Sequence, residues 1–297
     1  MRVTTSQAQR SQLDYIQGNL QRLVKAQDQA ATGRRFQRGS EDPVATAEVL
    51  RADTTIAQNT QMRRNGDLAI ARAQEEDRIL GSLQLITERA RELTAQQIGS
   101  IANAATRLIT KAEVDQLIQS TIGLGNTRFS TGYLFGASRP SEAPLANTPT
   151  SVPPFATNGA TLTNPQIEVA PGVLSSPNHT AHEIFIDTNL LVSLRDLSTA
   201  LGADDTAGIT AALPAIEQAS DNVAVLLGEI GATANQYDMI RVQLTEATLD
   251  TRIRRSMLYD IDIAEAAANF AAAQTAYQAA LSAANRVLNL NVLDYLR

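Results

Sequence analysis

The chain has 297 residues, of which 43% are apolar, and its aromatic residues are six Tyr and six Phe. Its net charge of −6 argues against a general nucleic-acid-binding protein, because contacts to phosphate need a basic face. It has no cysteine for a disulfide or a thiolate site, and no run approaches the roughly 20 apolar residues that a membrane helix requires. We therefore expect cores built mainly from Ala, Leu, Ile and Val on helices.

Two helices are predicted in the first hundred residues. The first runs from about Ser6 to Ala31 and ends at Gly33, a residue suited to the C′ position. The second starts with Asp42 as N-cap and Pro43 in its first turn, and continues to Ile98. Each carries an apolar stripe at heptad spacing: Leu13, Ile16, Leu20 and Leu23 in the first helix, and Ile79, Leu83, Ile86, Ala90 and Leu93 in the second.

The middle of the chain changes character after a third helix, which is predicted from about Ala104 to Ile122. Eight of the ten prolines lie between Pro140 and Pro177, among short apolar runs and polar residues. Such runs favour strands of a small sheet over helix. The predicted strands are Tyr133 to Phe135, Gln166 to Val169 and Glu183 to Ile186.

Helical patterning returns in the last third of the chain. Helix is predicted from Pro214 to about Tyr259, with a strict heptad stripe from Ile216 to Ile261 that is typical of a helix lying along another helix. Asp262 and Glu265 resemble a capping box that opens a final, Ala-rich helix. The stripe of this last helix comprises Phe270, Gln274, Tyr277, Leu281, Ala284 and Leu288.

These elements predict a mainly α protein, an elongated antiparallel helical rod or coiled coil formed from both termini, with a small β-containing outer domain inserted in the middle. Residues 1–40 with 259–297 form a terminal coiled-coil core domain, and residues 41–137 with 191–258 form a helical rod domain. Residues 138–190 form a Pro-rich outer domain that is expected to face outward and tolerate change.

The last helix is expected to need several neighbours. Its stripe can bury about eight side chains at ~1.5–3 kcal/mol each, whereas ordering its backbone costs about 1–2 kcal/mol per residue. One antiparallel partner leaves most of the Ala-rich surface uncovered. Assembly with other subunits is therefore favoured over a self-contained bundle.

Residue types that carry enzyme chemistry are sparse. His179 and His182 are the only histidines, and their Pro-rich, non-helical context favours surface residues over a metal pair. Asp260 and Asp262 lie at a helix junction, where capping explains them better than acid–base catalysis. The sequence has no dinucleotide fingerprint, P-loop or G-x-S-x-G motif. We predict no enzymatic activity, no cofactor and no metal site.

Several stretches near the two ends resemble the flagellin superfamily. Within it, Asp42-Pro43 and the Leu-Asp-Tyr-Leu ending are most similar to the hook-associated junction proteins, and Tyr133 to Gly136 resembles the family's strand entry to its outer domain. The remaining resemblance lies in Met1 to Ser6, Ala31 to Arg35, Ser40 to Ala45, and Gln274 to Leu281.

The resemblance implies a structural component of the bacterial flagellum that joins hook to filament. It implies export through the flagellar type III apparatus without a cleaved signal peptide, terminal helices that are disordered in the monomer, and a homo-oligomeric ring. The implied partners are the other hook-associated junction protein, flagellin, and an export chaperone that binds the C-terminal helix, but neither nucleic acid nor a membrane. The expected assembly and chaperone interface comprises Leu13, Ile16, Leu20, Leu23, Phe270, Tyr277, Leu281, Leu288 and Leu293.

Two other functions remain open at this point. A short filament flagellin would share the terminal motifs. A cytoplasmic coiled-coil signalling protein would share the heptads, although it would need neither the Pro-rich insert nor the charge-poor, Ala-rich terminus. An enzyme would require a ligand pocket in the middle segment.

Overall fold

A computed structural model describes residues 2–98, 103–145 and 164–295. Two small antiparallel sheets, each of two strands, accompany long helices, which confirms a mainly α protein with a small β-containing part. The helices are α1 (Arg2–Thr32), α2 (Pro43–Ile98), α3 (Ala104–Gly125), α4 (Leu190–Gly202), α5 (Thr206–Tyr259) and α6 (Ile263–Tyr295). The strands are β1 (Arg128–Phe129), β2 (Gly132–Tyr133), β3 (Ile167–Ala170) and β4 (Val173–Ser175), followed by a π-helical turn at Glu183–Asp187.

The chain divides into two compact units. Unit 1 consists of residues 1–58 and 247–297, and unit 2 of residues 59–246. Unit 1 therefore holds α1, α6, the beginning of α2 and the end of α5. Unit 2 holds the rest of α2 and α5 together with α3, α4 and both sheets.

The helix ends of unit 1 lie where their capping residues predict them. Gly33 follows α1 with a φ of +67°, and its N–H donates to the carbonyl of Gln29 at 2.9 Å. The Asp42 Oδ1 atom accepts from the Ala45 N–H at 2.9 Å at the start of α2. The Asp262 Oδ1 atom accepts from the Ala264 N–H at 2.7 Å at the start of α6. Side-chain oxygens thus satisfy N–H groups that have no partner within a helix.

The main core of unit 2 is formed by α2, α3, α4 and α5. The heptad stripe predicted for α2 and the first part of the α5 stripe, from Ile216 to Ile230, lie in this core, because a residue every three or four positions keeps one face of a helix turned to its neighbours. Farther along the α5 stripe, Tyr237 and Ile240 belong to a separate small cluster. The members of the main core from these four helices include Ile79, Leu83, Ala90, Leu93, Val114, Ile118, Ile122, Leu190, Leu194, Leu197, Ile216, Ala219, Val223 and Ile230.

The predicted strands are partly right. Two of them overlap β2 and β3, while β4 follows β3 through Gly172, whose φ of +72° suits the turn. The strand predicted at Glu183 to Ile186 is wrong, because these residues form the π-helical turn. Short apolar runs fit a buried helical turn as well as a strand, so their periodicity does not separate the two.

Part of the segment predicted to face outward lies in the core of unit 2. Ala181, Ile184 and Phe185 are fully buried there, and the Phe185 ring meets Phe135 edge to face with centroids 5.8 Å apart. Removing residues 181–190 would therefore open this core. Residues 146–163 of the same segment lie outside the described residues.

Helix returns earlier than Pro214. Helix α4 was not predicted, and Pro214 lies inside α5 instead of at its start. Proline lacks an N–H but permits helical φ, so α5 continues through it with one fewer backbone hydrogen bond.

Candidate functional site

The two terminal helices contact each other within unit 1. Since α1 ends and α6 begins at the same backbone junction, the pair runs antiparallel. Ile16 lies in a groove of about 360 Å³ between the two helices, opposite Ala276, Ala280 and neighbouring alanines. Small residues on one helix and a larger side chain on the other allow close helix packing.

The predicted interface residues fall into two groups. Ile16 and Leu23 of α1, and Phe270 and Tyr277 of α6, are half-buried. Leu13, Leu20 and Leu281 are 58%, 42% and 39% exposed. The side chains of Leu288 and Leu293 lie outside the described ones.

The α1–α6 pair thus leaves apolar side chains uncovered. Tyr15 and Val24 add to the exposed apolar surface of α1, and Ile263 adds to that of α6. Isolated exposed apolar residues are normal, but a series along paired helices marks a surface for another protein. We regard this series as the candidate site, and call Leu13, Leu20 and Leu281 the uncovered leucines.

A short backbone bridge joins the α1–α2 connection to the α5–α6 connection. The Arg35 N–H donates to the Tyr259 carbonyl at 2.7 Å, and the Ile261 N–H donates to the Gly33 carbonyl at 2.9 Å. Arg34 and Asp260 form the central antiparallel bridge. Asp260 therefore has a backbone role at this junction, as Asp262 has a capping role in α6.

The Tyr259 ring reinforces this bridge. Phe36 meets it edge to face, with ring centroids 5.2 Å apart. The guanidinium groups of Arg34 and Arg255 lie 5.1 and 5.2 Å from its centroid. Arg255 also donates from Nε to Asp53 of α2 at 2.6 Å. Aromatic and cation–π contacts of this kind contribute about 0.5–1.5 kcal/mol each.

The chain between α1 and α2 folds back on α1. Lys25 pairs with Glu41 at 3.0 Å, and Glu41 also accepts from the N–H groups of Gln37 and Arg38. The Lys25 hydrogen bond, assisted by these backbone donors, holds the pKa of Glu41 below its usual value. A groove of about 540 Å³, lined by residues of α1 and of this connection, lies beside the ion pair.

His179 is not the surface residue that the sequence analysis expects. Its ring is mostly buried in unit 2 and contacts the fully buried Glu76 of α2, whereas His182 is more exposed and lies 3.3 Å from Asp187. The two imidazoles therefore meet different carboxylates. Within residues 2–98, 103–145 and 164–295, no group of three or more acidic, His or Cys residues could hold a metal ion.

None of the helices in the described part of the chain is long and apolar enough to cross a membrane.

Both ends of the chain match family models of one superfamily. Residues 3–139 match the bacterial flagellin N-terminal helical region, and residues 213–296 match the bacterial flagellin C-terminal helical region. Together these two matches cover most of the chain. The chain belongs to the bacterial flagellin family.

Relatives with a similar fold are flagellar proteins. Flagellar hook-associated protein 3 of Escherichia coli K12 is 21% identical to this flagellin-family chain, over 99% of each chain. The crystal structure of flagellar hook-associated protein 3 from Legionella pneumophila has 12% identity and a TM-score of 0.64, covering 71% of this chain and 98% of its own. The crystal structure of Xanthomonas campestris FlgL has 17% identity and a TM-score of 0.59, covering 68% and 99%.

Sequence reasoning missed two features of this flagellin-family chain. Tyr15 is 73% exposed on α1 but falls outside the stripe at 3,4,3 spacing, so periodicity did not select it. Tyr259 and Phe36 are distant in sequence, and no local pattern connects them. The scarcity of aromatic residues was the one available signal, since the few that are present are strong candidates for packing sites.

Proposed function

We propose that this chain is a structural, non-enzymatic junction protein that joins the flagellar hook to the filament. The observation that carries the proposal is its similarity to flagellar hook-associated protein 3 of Escherichia coli, which extends over 99% of both chains.

The uncovered leucines support assembly through the terminal helices. In the assembled ring, neighbouring copies of this chain cover α1 and α6 with their own terminal helices. Covering the exposed part of each leucine stabilises the ring by a fraction of the ~1.5–3 kcal/mol that complete burial of an exposed leucine contributes. The other hook-associated junction protein lies on the hook side, and flagellin lies on the filament side. By this proposal the subunit is exported and becomes part of the bacterial flagellum.

The uncovered leucines also provide a direct test of the assembly surface. Replacing Leu13 and Leu20 with Asp introduces charge where side chains are exposed, so the isolated protein should lose no more than about 0.5–1 kcal/mol of stability per substitution. In the ring the same carboxylates would be buried without partners, and incorporation should fail. Immunogold labelling of flagella in a strain without the native gene measures incorporation.

Leu174→Asp is the matched control, because Leu174 is 60% exposed but lies on β4 in unit 2. It should be exported and incorporated like the unmodified protein. Normal incorporation of the Leu13→Asp, Leu20→Asp protein would contradict an assembly role for this face of α1.

Before export, the C-terminal helix is proposed to bind a dedicated chaperone through Tyr277, Leu281, Leu288 and Leu293. An apolar face of an amphipathic helix fits a hydrophobic groove, and a charge on that face opposes binding. Replacing Leu281 and Leu288 with Asp should abolish co-purification with the chaperone and reduce export. Unchanged chaperone affinity would show that these leucines serve only the assembled ring.

A short filament flagellin is the second candidate. The observation that favours it is that both family models describe helical regions of flagellin. The two functions differ in the cell, since loss of a sole filament flagellin leaves the junction in place and releases no flagellin.

A further inference from the structure

Unit 2 buries a carboxylate in its helical core. Glu76 of α2 has no exposed surface, and it lies between Ala73 and Ile79, which belong to the main apolar core. A carboxylate that is removed from water is stable only when hydrogen bonds or an opposite charge compensate for the lost hydration. The contacts of Glu76 with its neighbours therefore determine how the core accommodates this side chain.

His179 makes two contacts with that carboxylate. Its backbone N–H donates to Oε2 at 3.0 Å, and its ring Nδ1 lies 2.6 Å from Oε1. The other ring nitrogen, Nε2, is 3.4 Å from Glu229 of α5. The imidazole thus lies between carboxylates of two different helices.

The surroundings of His179 favour its protonated form. The hydrogen bond with Glu76 raises the pKa of His179, burial opposes that rise, and the charges of Glu76, Glu183 and Glu229 add to it. Two further groups contact the same chain segment from the helices: Arg72 of α2 donates to Asn178 at 3.2 Å, and the Tyr237 hydroxyl of α5 donates to the Ser176 carbonyl at 2.8 Å.

The segment that carries His179 begins at the last residue of β4. Residues 175–180, which we call the clasp segment, hold the β3–β4 hairpin to the helices. Tyr237 contacts Ser175 Oγ at 2.8 Å, and the Asn178 side chain donates to the Leu134 carbonyl at 3.2 Å. Val169 of β3 packs on Ala69 and Tyr237 in a small cluster of its own.

We propose that the clasp segment is a proton-controlled attachment, in which protonated His179 bridges Glu76 and Glu229 and holds the β3–β4 hairpin against α2 and α5. Loss of the His179 proton removes the positive charge that lies between the side chains of Glu76 and Glu229. The closed segment then loses its charge balance and opens locally, together with the hairpin. This inference is independent of the proposed junction function.

The direction of the pH dependence follows from proton linkage. A histidine whose pKa is raised in the closed form stabilises that form fully below its ordinary pKa of about 6.5, and this stabilisation is lost as the pH rises through the raised value. When the pH rises above both pKa values, the ratio of closed to open protein falls. The fall is about tenfold for each unit by which the His179 pKa of the closed form exceeds that of the open form. The hairpin should therefore be more firmly attached in acid than in mild alkali.

Two measurements on the full chain test the proposal. With His182→Gln as the background, His179 is the sole histidine, so one imidazole resonance in an NMR titration reports its pKa. Hydrogen exchange of the amides of residues 167–175, corrected for the intrinsic effect of pH, reports attachment of the hairpin. We expect the NMR titration of His179 to have its midpoint above about pH 6.5. As the pH rises through that midpoint, protection of the hairpin amides should fall by about tenfold for each unit of pKa difference between the closed and open forms.

Three variants separate charge from structure. His179→Asn keeps a donor near Glu76 without a titrating ring, and Glu76→Gln keeps the shape of the side chain without its charge, so both should remove the pH dependence. Tyr237→Phe loses the hydroxyl contacts of the clasp segment but no charge, so it should lower protection similarly at every pH. If Glu76→Gln fails to fold, His179→Asn still provides the comparison.

The proposal is overturned by a His179 midpoint at or below about 6.5, or by hairpin protection that stays constant through the His179 titration. It is also overturned if His179→Asn retains the full pH dependence of the unmodified hairpin.

Discussion

At the scale of single residues, two glycines near the end of α3 have opposite surroundings. A Cβ atom on Gly125 would overlap Leu145 Cδ1 and lie 3.1 Å from the Phe185 ring, whereas a Cβ atom on Gly123 would have no neighbour within 4 Å. The close approach at Gly125 is what allows Leu145 and Phe185 to pack against this end of α3.

The same substitution at these two positions should therefore have opposite effects. Gly125→Ala should lower the free energy of unfolding by about 1–3 kcal/mol, because the core must shift to accept a methyl group. Gly123→Ala should raise it by about 0.5–1 kcal/mol, because alanine favours helix. Urea denaturation measures both. Equal effects of the two substitutions would contradict the packing described here.

Individual capping residues were predictable, but long-range partners were not. Gly33 and Asp42 act on their own helix ends, so their roles follow from a few neighbouring residues. His179 contacts Glu76, which lies 103 positions away in the sequence. No local pattern links two such residues, and the Pro-rich context alone made a surface histidine the natural but incorrect expectation.

At the scale of elements, heptad spacing identified the long helices and their buried faces. The predicted stripe of α5 includes Ile216, Val223 and Ile230, which are buried. The apolar spacing repeats many times along a long helix, so a few polar residues in the stripe do not obscure the helical pattern. The π-helical turn and α4 are short, and they follow a segment rich in proline, where few repeats are available for such reasoning.

The spacing of apolar residues did not indicate which of them contact another helix of the same subunit and which stay exposed for another subunit. The stripe of α1 was predicted as one surface, but the structure divides it between half-buried Ile16 and Leu23 and exposed Leu13 and Leu20. An apolar stripe with this width can serve two neighbours, one within the subunit and one outside it. The sequence contains no information on how these two contacts share the stripe.

The terminal helices should be the first elements to open in an isolated subunit. They contact each other while leaving the uncovered leucines in water, so the subunit alone lacks part of the burial that would hold them. Brief trypsin treatment should cleave first at sites such as Arg10, Arg22 and Arg286. A fragment of about residues 40–258 should remain, because it contains unit 2 with its main apolar core.

Mass spectrometry of the early fragments identifies the first cleavage sites. Cleavage after Arg107 is the internal reference for late cleavage, since the Arg107 side chain is buried and paired with Asp204 in unit 2. Protection of both termini, with cleavage beginning inside unit 2, would count against terminal helices that order on assembly.

At the scale of the whole molecule, the two ends of the chain identify the family. The motifs predicted from residues near both termini agree with family matches at residues 3–139 and 213–296, so the family prediction is confirmed. The middle segment has no comparable motif. Its packing depends on contacts between distant residues, such as Phe135 and Phe185, which become visible only in three dimensions.

The junction role leads to a specific expectation for the cell. A junction protein must match a hook-side surface and a filament-side surface, so its absence removes the surface on which the first flagellin subunits order their own terminal helices. Filament growth should then fail although hook assembly and flagellin export continue. A signalling protein would leave filaments standing and change only swimming behaviour.

Deletion of this gene, followed by electron microscopy of the cells and measurement of flagellin in the medium, tests this account most directly. If the protein is the junction, the cells should carry complete hooks without filaments, flagellin monomers should accumulate in the medium, and the plasmid-borne gene should restore filaments. Intact filaments in the deletion strain, when the genome holds no second copy, would contradict the junction function.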